Sequence, residues 1–168
     1  DNDFGTEEFV RFCRLVGAEP YICVNTGSAD ARAAAGWVRF CRERELGVRW
    51  WGVGNETYGD WEIGNVPADE YARLFLQFAE AMRAEDEEID LIAVGADPID
   101  FPDWNPTVLE IAGGEIDHLS VHRYVPPTRD DQQRERQYRA IVAAPADIER
   151  RLRMVADTID EVLGPDSG

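Results

Sequence analysis

Residues 48–61 read VRWWGVGNETYGDW, an apolar run that breaks at Gly54 and delivers Asn55 and Glu56 into a polar loop. Val48, Trp50, Trp51 and Val53 make a strand apolar on both faces, the pattern of a parallel sheet covered by helices. Gly52 and Gly54 let the backbone bend or pack closely just before the polar pair emerges. A carboxylate at such a strand end stands where active-site groups are carried. The following loop, Thr57 to Gly64, mixes aromatic, acidic and glycine residues, Trp61 among them. Rings suit the apolar faces of a sugar and carboxylates suit its hydroxyls. An Asn-Glu pair alone is more often a solvated loop beside core tryptophans, so the decision rests with the flanking chain.

Upstream, Thr6 is a good N-cap for a helix with Glu7 and Glu8 in its first turn, apolar residues Phe9, Val10, Phe12, Cys13 and Val16, and a stop at Gly17. Pro20 to Asn25 reads as a buried strand. Ser28 is placed to cap a second helix running to about Arg44, with Ala31, Ala34, Trp37, Val38 and Cys41 inward. Downstream, Pro67 opens a third helix whose stripe of Tyr71, Leu74, Phe75, Phe78 and Met82 is core. A strand from Asp90 to Gly95 feeds a loop rich in Asp, Pro and Trp, and a short helix runs from Pro106 to Gly113. Another strand, Asp117 to His122, leads into Arg123, Tyr124 and a long polar loop. The last helix is expected from Pro145 to Gly164, with Ile148, Leu152, Val155, Ile159 and Val162 on one face.

Strand and helix thus alternate four times after an initial helix, which argues for a parallel sheet with right-handed crossovers. Turns entering strands are short. Segments leaving them are long and hold Asn25, Asn55, Glu56, Asp97, Trp104, His122 and Tyr124. That asymmetry fits part of a (β/α)8 barrel, an α/β fold whose sites lie at the C-terminal strand ends. A doubly wound sheet has the same ordering, but no glycine-rich phosphate loop follows any strand.

The chain has 168 residues with 44% apolar and 10% aromatic content, enough for one domain with a real core. Net charge is −17, from 34 acidic and 17 basic residues, which argues against a nucleic-acid or anionic-membrane surface. Cys13, Cys23 and Cys41 cannot all pair within one chain, and each sits where a small hydrophobe fits, so a reduced, cytoplasmic compartment is expected. There is no basic segment followed by an apolar one of the secretory type.

Hydrolysing a glycoside takes two carboxylates flanking the bond, one protonating the leaving oxygen and the other attacking or activating water. Glu56 is the candidate for the first. To be protonated near neutral pH its pKa must be raised, by an apolar setting or a second carboxylate. Asn55 and Trp61 are candidates for substrate binding. His122 and Tyr124, two apart on a strand end, point the same way and are placed to position a carboxylate or touch sugar hydroxyls. His118 and His122 are four apart in an extended strand, about 13 Å, and cannot share a metal ion. Ser120 and Ser28 lack the nucleophile-elbow setting of a serine hydrolase.

The segments GAEPYICVN, WWGVGNETYGDWEIG, DHLSVHRYV and APADIERRLRMVADTIDEV resemble, in order, consecutive parts of the family-51 glycoside hydrolases, the α-L-arabinofuranosidases. The resemblance implies a retaining hydrolase without metal or cofactor, acting on arabinose-containing polysaccharides or oligosaccharides, on a (β/α)8 barrel with an added β-sandwich. It makes Glu56 the general acid/base at the end of barrel strand four, Asn55 the adjacent sugar-binding residue, and His122 and Tyr124 site residues after strand six that orient the nucleophile. The chain then corresponds to strands three to six, a single partial barrel domain over residues 1–168 that is truncated at both ends. The nucleophilic glutamate, expected on strand seven, lies beyond Gly168. A half barrel leaves two sheet edges and an inner face open, so self-association or completion by the missing half is expected. The alternatives are a non-catalytic sugar-binding or structural half barrel and a related retaining hydrolase acting on a pyranoside.

Overall fold

The computed structural model describes residues 3–125 and 134–165. Its elements are α1 (Thr6–Val16), β1 (Tyr21–Val24), α2 (Ala31–Glu43), β2 (Trp50–Val53), α3 (Ala68–Arg83), β3 (Asp90–Val94), α4 (Trp104–Ala112), a 3-10 turn (Gly113–Glu115), β4 (His118–Ser120) and α5 (Arg134–Leu163). The four strands form one parallel sheet in the order β1-β2-β3-β4, with Tyr21 opposite Trp50, Trp50 opposite Asp90 and Ile92 opposite His118. Helices adjacent in the chain also pack as neighbours, α2 on α3, α3 on α4 and α4 on α5. Sequential strand order with no reversal is a singly wound barrel segment; a doubly wound sheet reverses at a switch point.

The core lies between this helical layer and one sheet face. Trp51, Val53, Leu91 and Ala93 meet Val38, Tyr71, Phe75, Phe78, Met82 and Val108 there. Burying each large apolar side chain contributes about 1.5–3 kcal/mol. The other sheet face is largely open. Tyr21, Cys23 and His118 are exposed and Trp50, Ile92 and Ser120 are half-buried, so the central strand is covered on one face and not on both. Tyr21 lies over Gly52, where a side chain would collide with its ring. A hollow of about 440 Å³ follows the β1 edge, lined by Phe4, Phe9, Tyr21 and Trp37.

Several helix ends differ from the sequence expectation. Gly5, not Thr6, caps α1: its N–H donates to Glu8 Oε2 at 2.9 Å. The Thr6 hydroxyl instead accepts from Trp37 Nε1 at 3.0 Å. Asp30 replaces Ser28 as the cap of α2, accepting from the Ala33 N–H at 3.0 Å, while the Ser28 hydroxyl accepts from Asn25. Pro67 is the cap residue of α3, α4 starts two residues earlier than expected, and β4 is confined to three residues. Asp117 drops out of β4 because its carboxylate accepts the Leu91 N–H and pairs with Arg83. The largest difference is Pro145, which lies inside α5 instead of opening it. There it removes one backbone donor from the helix. Inward residues of α5 are Arg151 and Val155, while Leu152 is exposed. The polar loop expected after Tyr124 falls at 126–133, outside the described residues.

Cys13 and Cys41 are buried free thiols, and burial pushes Cys41 up to about 11. Cys23 is exposed on the open face, where its thiol donates to the Gly54 carbonyl at 3.0 Å, so it is not the buried small hydrophobe expected.

Tyr71 stitches the working ends of two strands together. Its buried hydroxyl donates to the Val53 carbonyl and accepts from the Val94 N–H, each at 2.7 Å. Tyr71→Phe keeps the ring and orphans two buried backbone groups. It is expected to destabilise the protein by about 2 kcal/mol, read as a lower urea midpoint at unchanged m-value.

Candidate active site

The backbone after β2 is built to turn Glu56 outward. Gly54 has φ +84°, and a Cβ there would come within 2.7 Å of the Thr26 hydroxyl. Glu56 itself has φ +44°, a left-handed conformation that non-glycine residues rarely adopt. Such a residue persists where its surroundings hold it, and functional sites are where these residues gather. The hold is visible in the next ten residues. Asn65 Nδ2 and the Val66 N–H both donate to the Thr57 carbonyl, at 2.9 and 3.2 Å, closing the base of the loop. The Gly59 N–H donates to the Glu56 carbonyl at 2.8 Å.

Glu56 reaches toward the segment after β4. His122 Nδ1 is 2.7 Å from Oε1, and the Tyr124 hydroxyl donates to the same oxygen at 3.4 Å. Trp61 Nε1 donates to the other oxygen, Oε2, at 2.9 Å. His122 lies beyond the last β4 residue, so its position depends on how the departing chain is fastened. Arg123 pairs with Asp147 on α5 at 3.1 Å, Asp147 pairs with Arg151 at 2.9 Å, and Arg151 pairs with Asp97 after β3. Four charged residues thereby tie the ends of β3 and β4 to one helix.

The structure therefore brings Glu56, His122, Tyr124 and Trp61 into contact. Asn55 stands beside them, exposed, its Nδ2 donating to Glu62 Oε1 at 3.3 Å. A cleft of about 210 Å³ opens next to Asn55 between the ends of β1 and β2, lined also by Cys23, Asn25, Gly54 and Glu62. Two residues expected on the working face serve structure instead. Asp97 is buried against Arg151, and Trp104 is buried with its indole N–H donating to the Val94 carbonyl at 2.8 Å. His118 goes to a different partner, Asp90, at 3.6 Å.

The electrostatics of Glu56 run opposite to the expected direction. Its carboxyl is held below the ordinary value, first by the His122 hydrogen bond, with burial opposing and Trp61 adding to the lowering. An imidazole N–H and an indole N–H both favour the ionised form. Trp61 supplies a donor as well as apolar surface, and the donor favours the ionised carboxylate. Tyr58, on the same loop, has its hydroxyl pushed up by burial and by the Glu56 charge. Its ring joins Trp61 (6.1 Å), Phe101 (4.6 Å) and Trp104 (5.6 Å), linking the loop to the core.

Sequence reasoning missed Tyr71, Asn65 and Arg151. It also missed Asn105, whose buried amide makes paired 2.8 Å bonds to both backbone groups of Ala96. Tyr71 looked like core, and a charged residue on the last helix gave no sign of its partner. Asn65, at the foot of the Gly64 turn, was the one with a readable signal.

No family model matches the chain. The chain is 31% identical over 180 residues to the intracellular exo-α-(1→5)-L-arabinofuranosidase 1 of Bacillus subtilis, covering 96% of this chain and 35% of that protein. Among solved structures, the α-L-arabinofuranosidase of Thermotoga maritima in complex with arabinose superposes with a TM-score of 0.82 at 36% identity, over 96% of this chain and 35% of that one. The thermostable GH51 α-L-arabinofuranosidase of Thermotoga petrophila RKU-1 gives 0.75 at 34% identity, over 98% and 34%. The chain thus spans about a third of the length of the curated relatives and solved structures in which it covers a (β/α)8-barrel segment.

Proposed function

We propose, from a chain homologous to the family-51 α-L-arabinofuranosidases over about a third of their length, that these residues form the acid/base half of a retaining α-L-arabinofuranosidase site. The observation that supports this best is the Glu56 carboxylate at the end of β2, in a left-handed backbone conformation and clasped by His122 and Tyr124. In this reading the protein removes arabinofuranosyl groups from arabinose-containing oligosaccharides or polysaccharides. Glu56 first protonates the departing glycosidic oxygen and then, as carboxylate, takes a proton from the water that releases the sugar. Asn55, exposed beside it, hydrogen-bonds a ring hydroxyl. His122 orients the Glu56 carboxylate and stabilises its ionised form, the form the second step needs. A cytoplasmic location goes with the reading, supported by three free thiols and by the name of the Bacillus relative.

A covalent glycosyl intermediate needs a second carboxylate about 5–5.5 Å from the first. The reading assigns that nucleophile to the barrel strand after α5. The test is hydrolysis of an aryl α-L-arabinofuranoside by the 168-residue chain and by a form continued through the following two barrel strands. Turnover is expected only from the longer form. Turnover by the short chain that vanishes in Glu56→Ala would mean that the second carboxylate is among these residues, and the assignment would fall.

A further inference from the structure

The two oxygens of Glu56 have unlike keepers. Oε1 lies between His122 Nδ1 at 2.7 Å and the Tyr124 hydroxyl at 3.4 Å, whereas Oε2 is held by Trp61 Nε1 at 2.9 Å. Imidazole changes from donor to acceptor by changing tautomer, and a phenol hydroxyl turns, so Oε1 tolerates a proton. An indole N–H only donates. A carboxylate oxygen accepts that N–H more strongly than a protonated one does, so the indole favours an unprotonated Oε2 for as long as it stays. Trp61, which covers Oε2, is itself 61% exposed, whereas the Glu56 side chain is 12% exposed.

We infer that Trp61 is a positioning residue for Glu56: its N–H holds Oε2 in the ionised form, and the indole swings off as Glu56 takes on the proton that it delivers from that oxygen. The inference rests on the acid/base reading of Glu56. The loop is shaped for such a release. Its base is fixed by Asn65 and Val66 on the Thr57 carbonyl, while its tip carries Trp61 between Gly59 and Gly64, the latter at φ +101°. The indole rests on Gly59 and on the edge of Tyr58, at 6.1 Å and 83°, and occupies no buried pocket. Moving it breaks one hydrogen bond and little packing. The freed ring then has a face to offer the incoming sugar. The other titratable groups facing Glu56 are His122, Tyr124 and Tyr58, with Asp97 acting on Tyr58 from the loop after β3.

The test is a pH titration of the Glu56 side-chain carboxyl by ¹³C NMR in the chain and in Trp61→Phe, with Glu56→Gln giving the assignment. Phenylalanine keeps an aromatic ring and removes the donor. Its midpoint is expected to lie higher by roughly half to one pH unit, as fits the loss of one exposed hydrogen bond to a charged group. In the unsubstituted chain the Trp61 indole N–H resonance should move with the same midpoint as Glu56, a readout that needs no variant. Equal midpoints in the two proteins, or an indole resonance indifferent to Glu56, would overturn the inference. A shifted midpoint, together with unchanged arabinofuranoside hydrolysis in Glu56→Gln of the longer form, would keep the Trp61 bond and remove the acid/base reading it serves.

Discussion

Glu56→Gln is expected to slow hydrolysis by the protein that carries this chain about 10²–10⁴-fold for substrates whose leaving group needs a proton. Glutamine keeps the shape of the side chain and can still meet His122, so the loss isolates the proton. The leaving group then diagnoses the role. A sugar or alkyl alcohol departs poorly without protonation, whereas a dinitrophenolate departs unaided, so the first step with an activated aryl arabinofuranoside should be nearly unharmed. In that case the second step, which lacks its base, becomes limiting: a burst of phenolate, a lowered KM and an accumulating glycosyl-enzyme follow. Azide needs no base and should restore turnover. An equal loss across all leaving groups would show that Glu56 binds sugar and moves no proton. Because His122 and Trp61 hold the Glu56 carboxyl down, its protonated fraction is small at neutral pH. Substrate entry, a displaced indole and a neighbouring carboxylate all act to raise it.

The second large effect concerns stability. Arg151→Met removes the counter-ion of Asp97, a residue only 5% exposed whose carboxylate also accepts from the Ile99 N–H at 3.0 Å. An uncompensated buried charge destabilises by about 3–5 kcal/mol, and urea unfolding should show a shift of that size with a melting temperature lower by roughly 10 °C. Asp97→Asn in the same chain keeps an acceptor for the Ile99 N–H and removes the charge, so the double variant should recover most of the loss. A double variant no better than Arg151→Met would assign the stability to packing of the arginine stem. The network also gives the protein an acid limb. Asp147 is held down at about 2, by Arg150 first and Arg151 next. With a folded pKa below the ordinary 3.8, its contribution is present above about pH 4 and disappears as pH falls toward 2. Arg151→Met should move the onset of acid unfolding to higher pH.

The parts of the fold that could be read in the chain are those set by local pattern. The apolar stripe of α3, the strand run into Gly54 and the C-cap at Gly17, with φ +72°, each carry their own signal within a few residues. Glu56 was legible for the same reason, since a glycine and a carboxylate at a strand end are neighbours in sequence. What could not be read depends on partners far along the chain. The direction of the Glu56 pKa is decided by His122, 66 residues away. Asp97 looked like a working-face carboxylate because nothing near it announces Arg151, 54 residues on. Thr6 lost its capping role to Trp37, a choice made by tertiary contact. Pro145 was a reasonable first-turn residue by propensity, and packing of the helix around Val155 carried the element through it.

The chain of charges Asp97–Arg151–Asp147–Arg123 has a bearing on the order in which the site comes into being during synthesis. The ribosome releases β2 and Glu56 first, then His122, but the clasp that fixes Arg123 beside His122 closes only when residues 147–151 of α5 have emerged. Until then Asp97 has no counter-ion and the segment after β4 has no anchor. The nascent protein thus acquires its sheet early, and the anchor of the segment that carries His122 only when α5 has emerged.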